Sequence, residues 1–181
     1  MTSTSASSPA RADAHPRVLG LDPGSRVTGF GVVDVSPRGP CCVDYGTIRP
    51  PLAAPLPDRL KVLAEGVRDL VEHFQPDAIV VENVFLGPNV RSMAVVGQVR
   101  GALIAAGRMG GVAVFEYAPR EIKLSVVGTG SASKRQIQYM VRAALGLPVL
   151  PAPFDAADGL AAALCYVHRG LRLGAARALV R

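Results

Sequence analysis

The chain has no tryptophan, and aromatic residues make up only 5% of its 181 positions. A core must therefore be built from aliphatic side chains. With 49% of the residues apolar, the length suits one compact domain with a sizeable core and leaves little room for a second. Cysteine is scarce too. Cys41, Cys42 and Cys165 form neither a C-x-x-C pair nor a Cys/His ligand spacing, which argues against a zinc site and suits reduced thiols in a cytoplasmic protein. No apolar run reaches the length of a membrane span, and the first sixteen residues lack the apolar core of a signal peptide. Residues 1–16, rich in Ser, Thr and Ala, are expected to be a disordered tail, 17–172 the folded domain, and 173–181 a basic C-terminal tail. Acids are outnumbered as well, 14 Asp and Glu against 20 Lys and Arg, for a net charge of +6. That balance favours a polyanionic partner such as nucleic acid.

The acids that are present fall in a pattern. Two apolar runs each end on a carboxylate, V-L-G-L-D at Asp22 and A-I-V-V-E at Glu82, and a third pair, Asp155 and Asp158, opens an alanine-rich helix. Short β-branched runs are the signature of buried strands, and an acid at a strand's last position leaves the sheet where ligands usually bind. A spacing of three puts Asp155 and Asp158 on one helix face. Taken singly, each is a strand-end or helix-cap acid, since Asp before Pro-Gly favours a turn and Asp155 can cap its helix. Taken together, acids from three separate segments make a divalent metal site, because carboxylate oxygens are the ligands that Mg²⁺ or Mn²⁺ prefer, and two such ions suit phosphodiester hydrolysis.

Three successive strands, 17–22, 28–35 and 41–48, are separated by turn-type sequences and predict an antiparallel meander. Leu60, Leu63, Val67, Leu70 and Phe74 keep helical spacing after Asp58, and Gln75-Pro76-Asp77 ends that helix. A strand to Glu82, a helix over 89–108, a strand over 112–117 and a short helix after Pro119 follow. Ser133 and Gln136 form a capping-box signature for a further helix, whose core face is expected to be Ile137, Met140, Val141 and Leu145, opposite Lys134, Arg135, Gln138 and Arg142. The last helix begins near Asp155. A meander followed by crossover units predicts an α/β fold, a mixed sheet with helices on both faces.

The chain order of the acids is that of the ribonuclease H-like superfamily, and the local words go further. L-G-L-D-P-G-S-R-V-T-G-F-G-V-V at 19–33, V-E-N-V-F at 81–85, V-F-E-Y-A-P-R-E-I-K at 114–123, V-V-G-T-G-S-A-S-K at 126–134 and D-A-A-D-G-L-A at 155–161 resemble the RuvC family of bacterial Holliday-junction resolvases. The resemblance runs from Arg17 to His168 in family order. It implies a homodimer that binds a four-way DNA junction, nicks two opposing strands symmetrically and works with a branch-migration complex. It also implies that Asp22, Glu82, Asp155 and Asp158 are catalytic acids binding Mg²⁺ or Mn²⁺, that Lys123 and Lys134 lie against DNA, and that Phe85 stands at the opened junction centre. Phe85 can equally be a core aromatic, and Arg91 and Arg100 are either phosphate contacts or solvated arginines. Gly97 and Gly101, one turn apart, permit close helix packing, within the domain or across the dimer interface that the resemblance implies. The sequence departs from the familiar bacterial pattern at Gly87-Pro88 and at 94–96. Two alternatives remain: a YqgF-type RNA-processing nuclease, against which G-T-G-S-A-S-K argues, and a non-catalytic nucleic-acid-binding protein, against which the four intact acids argue.

Overall fold

The computed structural model describes residues 15–83 and 90–178, with side chains described to residue 170. Strands β1 (Arg17–Asp22), β2 (Thr28–Ser36) and β3 (Gly39–Ile48) form the expected antiparallel meander. The chain then crosses over through helix α1 (Leu56–Phe74) to β4 (Ala78–Glu82), which pairs with β1 in parallel. Helix α2 (Val90–Met109) leads to β5 (Ala113–Tyr117), parallel to β4, and α3 (Pro119–Val127), α4 (Lys134–Ala144) and α5 (Phe154–Ala178) complete the domain. The sheet order is β3-β2-β1-β4-β5. The last helix continues to Ala178, so residues 173–178 of the basic C-terminal segment extend it. Residues 1–14 of the expected tail lie outside the described residues.

Helix ends follow the local sequence. Pro57 stands in the first turn of α1, where its missing N–H costs nothing, and Gln75 stops the helix in the left-handed conformation at φ 47°, its N–H donating to the Val71 carbonyl. At α4 the capping box forms as the signature predicts: Ser133 Oγ accepts from the Gln136 N–H at 3.3 Å, and Gln136 Oε1 accepts from the Ser133 N–H at 2.8 Å. The core face of α4 departs from expectation at two positions. Met140 is exposed, whereas Gln138 is buried and donates through Nε2 to the Pro151 carbonyl at 2.8 Å. A buried amide with a partner is tolerated where an unpaired one is not.

Alternation along the strands divides the core into two. Leu19, Leu21, Val32, Ile79 and Val81 point to α1 and α2, while Val18, Val33 and Val80 point to α3, α4 and α5. Helices therefore cover both faces, as the order of elements predicts. The α5 side is packed unusually close. A Cβ added at Gly20 would lie 2.1 Å from the Gly159 carbonyl oxygen, one at Gly29 1.8 Å from the Asp155 carbonyl oxygen, and one at Gly31 2.5 Å from the Leu160 nitrogen. Glycines on β1 and β2 thus let α5 lie with its backbone against the sheet.

Arg17 opens β1 and ties three segments together. Its guanidinium grips Asp34 with Nε and Nη2 at 2.7 and 2.8 Å, and Nη1 donates to the Phe74 carbonyl at 3.0 Å. With Arg17 only 5% exposed, Arg17→Met is expected to lower unfolding free energy by about 3 kcal/mol, because it strands the Asp34 carboxylate and that carbonyl. Denaturant titration at neutral pH measures it; a loss below about 1 kcal/mol contradicts a structural role for the pair.

Candidate active site

β1 and β4 run in parallel with Leu21 opposite Val81, so the next residues, Asp22 and Glu82, emerge side by side at the carboxyl ends of adjacent strands. Each stands two positions beyond a residue facing α5, Gly20 and Val80, and so shares that face. The glycine seam sets the start of α5 directly over them. Asp22, Glu82 and Asp158 accordingly line one cleft of about 140 Å³, closed by Pro119, Ile122 and Ile137 and rimmed by Lys123 and Lys134. Asp155, one turn before Asp158, is half-buried beside this cleft, and its charge acts on Asp22 and Asp158. The apolar wall residues Pro119, Ile122 and Ile137 were not predicted as part of the site. They carry no chemistry of their own, and only the fold brings them there.

Crowding of acids in a poorly hydrated cleft changes their acidity. Burial, then the neighbouring charge of Asp158, pushes Asp22 up to about 7. Burial and then Asp22 push Glu82 up to about 8. Asp158 is also raised, chiefly by burial, with Lys134 opposing. Lys134, the first residue of α4, places Nζ 2.9 Å from Asp158 Oδ2. Its own pKa is raised: burial works against the charge, and the hydrogen bond and charge of Asp158 outweigh it.

The donor set suits a hard divalent cation. Carboxylate oxygens from three elements converge where burial without a counter-charge is unfavourable, as the raised pKa values of Asp22 and Glu82 register. In the arrangement described, Asp158 is engaged by an ammonium, and among the described residues no three Asp, Glu, His or Cys side chains are grouped so as to hold a metal ion. The fit therefore lies in the chemistry of the donors and their common cleft.

Other predicted positions fall elsewhere. Arg100 pairs with Glu116 of β5, away from the cleft. Arg91 is exposed in a different cleft, on the α1 and α2 side. Phe85 lies outside the described residues, as does the Gly87-Pro88 departure. His168 faces Ser125 of α3, with Nδ1 3.2 Å from its carbonyl oxygen, in keeping with a helix residue rather than a metal ligand. All three cysteines are free thiols, and no described helix is long and apolar enough to cross a membrane.

A five-stranded mixed sheet with this strand order, helices on both faces and acids at the ends of its adjacent parallel strands defines a ribonuclease H-like protein. A family model described as crossover junction endodeoxyribonuclease RuvC matches residues 18–166. The RuvC of Protochlamydia amoebophila is 46% identical over 151 residues, 83% of this chain and 90% of that protein. That of Alkalilimnicola ehrlichii is 49% identical over 154 residues, 85% and 92% of the two chains. The chain belongs to the RuvC family of crossover junction endodeoxyribonucleases. Among solved structures, Thermus thermophilus RuvC superposes with a TM-score of 0.79 at 32% identity, covering 87% of this chain and 96% of that one. The same protein in complex with Holliday junction substrate gives 0.81 at 32% identity, with 88% and 97% covered.

Proposed function

We propose that the protein resolves four-way DNA junctions by metal-dependent, symmetric nicking of two opposing strands, in homologous recombination and DNA repair. The observation that carries this is the convergence of Asp22, Glu82 and Asp158 with two lysines on one cleft, in a member of a family whose Thermus thermophilus protein takes a Holliday junction as substrate. Asp22, Glu82, Asp155 and Asp158 would hold Mg²⁺ or Mn²⁺, two ions per site. When bound, such ions supply an activated water and positive charge for the leaving 3′ oxygen. The chain's own residues do the rest: Pro119, Ile122 and Ile137 keep the cleft poor in water, while Lys123 and Lys134 position the scissile phosphate. A nicking assay comparing a four-way junction, a linear duplex and an RNA–DNA hybrid, with and without divalent ions, tests the proposal. Paired, metal-dependent nicks in the junction are expected. Preference for the hybrid supports the RNA-processing alternative, and binding without cleavage supports a non-catalytic role.

The lysines make a second, finer test. Lys123→Ala is expected to lower the salt slope of junction binding by about one counterion. In chelator, Lys134→Ala is expected to lower it by less, because Asp158 already neutralises that ammonium. Fluorescence anisotropy over a salt series checks both, and equal changes for the two contradict the neutralisation.

Two coordinated nicks require two sites related by a two-fold axis, and one domain carries one site. The proposed homodimer contact is the face of α2 bearing Gly97 and Gly101. Nothing described lies within 4 Å of a Cβ added at either glycine, which favours an outward face over packing inside the domain. Gly101→Glu is expected to yield a folded monomer by sedimentation, with normal helical circular dichroism; an unfolded chain contradicts the assignment. The branch-migration complex is the further proposed partner, and a cytoplasmic location follows from the DNA substrate.

A further inference from the structure

On the opposite face of the sheet from α5, a second cleft of about 420 Å³ opens where the turn after β1 meets α1 and the first turn of α2. Arg26, Arg59 and Arg91 all line it, with Ser25 and Ser92 between them. Among the described residues that line it there is no carboxylate. Arg17, Arg100 and Arg169 each pair with an acid, whereas among the described residues none of the three cleft arginines has an ion pair. Arg59 is half-buried: Nη1 donates to the Ser25 carbonyl at 3.2 Å, while its Nε is buried with no hydrogen-bond partner. Held by that one carbonyl, the Arg59 guanidinium carries a charge that no acid among the described residues pairs, and such a group suits a phosphate oxygen. The turn presenting Arg26 is itself held, since the buried Thr28 hydroxyl donates to the Gly24 carbonyl at 3.0 Å and accepts from its N–H at 3.3 Å. Arg91 and Ser92 add the start of a 20-residue helix with no acid in its first turn, so backbone N–H groups reinforce the positive field.

We propose that this cleft is a second backbone-phosphate site, which takes the DNA strand as it leaves the acid cleft across the turn that follows Asp22. The assignment rests on the proposed function for the identity of the anion. Three converging guanidinium groups match phosphodiester oxygens, and the exposed Arg26 and Arg91 side chains carry no packing of the core. The site then holds DNA in register on both sides of the turn, with the catalytic acids on one side only.

The test compares the salt dependence of binding for the full chain, the Arg26→Gln/Arg91→Gln double variant and the charge-preserving Arg26→Lys/Arg91→Lys double variant, each on a four-way junction and a linear duplex. Loss of two phosphate contacts at about 0.9 each should reduce the slope by about 1.8 in the Gln variant, with the Lys variant close to the parent. A Gln variant that keeps the parent slope overturns the site, as does a Lys variant that loses as much as the Gln variant. A parent that binds junction and duplex alike overturns the junction reading instead, and the slopes measured on duplex still decide the cleft.

Discussion

Asp22→Asn and Glu82→Gln are each expected to reduce strand cleavage by about a thousandfold or more, while junction binding persists. The loss corresponds to roughly 4 kcal/mol of transition-state stabilisation, as expected when a ligand charge is removed from a metal-assisted hydrolysis. The basic rim is untouched by either change, so binding is retained. The same variants should be more stable than the parent in chelator at pH 8. Asp22 and Glu82 have folded values of about 7 and about 8 against about 4 for an unfolded carboxyl, so folding takes up protons at these sites. Their contribution is most favourable below the unfolded value and is lost as pH rises through about 7 to 8. A neutral amide avoids that loss. Because the Asp22 charge is the second cause of the Glu82 shift, Asp22→Asn also relieves its neighbour. Thermal midpoints a few degrees above the parent at pH 8, converging with it near pH 4, are the expected result. Near-normal nicking by either variant contradicts the catalytic assignment, and a midpoint below the parent at pH 8 contradicts the electrostatic one.

The second large effect is expected from the smallest change. Gly29→Ala places a methyl group 1.8 Å from the carbonyl oxygen of Asp155, a backbone atom that cannot turn aside. Either α5 lifts from the sheet or β2 shifts, at a cost of about 3 kcal/mol, the upper end for overpacking by one methyl. Asp155 and Asp158 ride on the displaced helix, and a misplacement on the order of 1 Å costs about a hundredfold in rate. Gly46→Ala is the control, since the nearest atoms to its Cβ belong to the ring of Phe30, at 3.0 Å, a side chain rather than backbone. Cleavage rate and thermal midpoint, measured together, should both fall for Gly29→Ala and hold for Gly46→Ala. A fully active Gly29→Ala protein contradicts the view that this seam positions the acids.

The sequence carried the strand ends well, because an apolar run that stops on a carboxylate is both a packing signal and a site signal. V-L-G-L-D and A-I-V-V-E therefore located Asp22 and Glu82 and the sheet that holds them. The face of α4 was less legible. Gln138 is core only because the Pro151 carbonyl, outside the helix, accepts its amide, and no local periodicity can register that. The same limit explains Lys134 and Arg100. Their partners, Asp158 and Glu116, lie on other elements, so the pairings arise from tertiary placement. The strand glycines Gly20, Gly29 and Gly31 drew no such reading; that a helix lies against them, and that it bears two of the acids, required the fold.

Parallel pairing of β1 with β4 joins positions about sixty residues apart, as the bond from the Arg17 N–H to Asp77 shows, and α5 reaches back from Phe154 to lie on β1 and β2. During synthesis, a chain that has emerged only as far as β5 holds the residues of all five strands, Asp22 and Glu82 among them. Its glycine seam is still uncovered and two of its four acids are still to be made. Such non-local closure is slow and comes late. On the proposed assignment of the four acids, the site is incomplete until the last helix has been made and lies on the sheet.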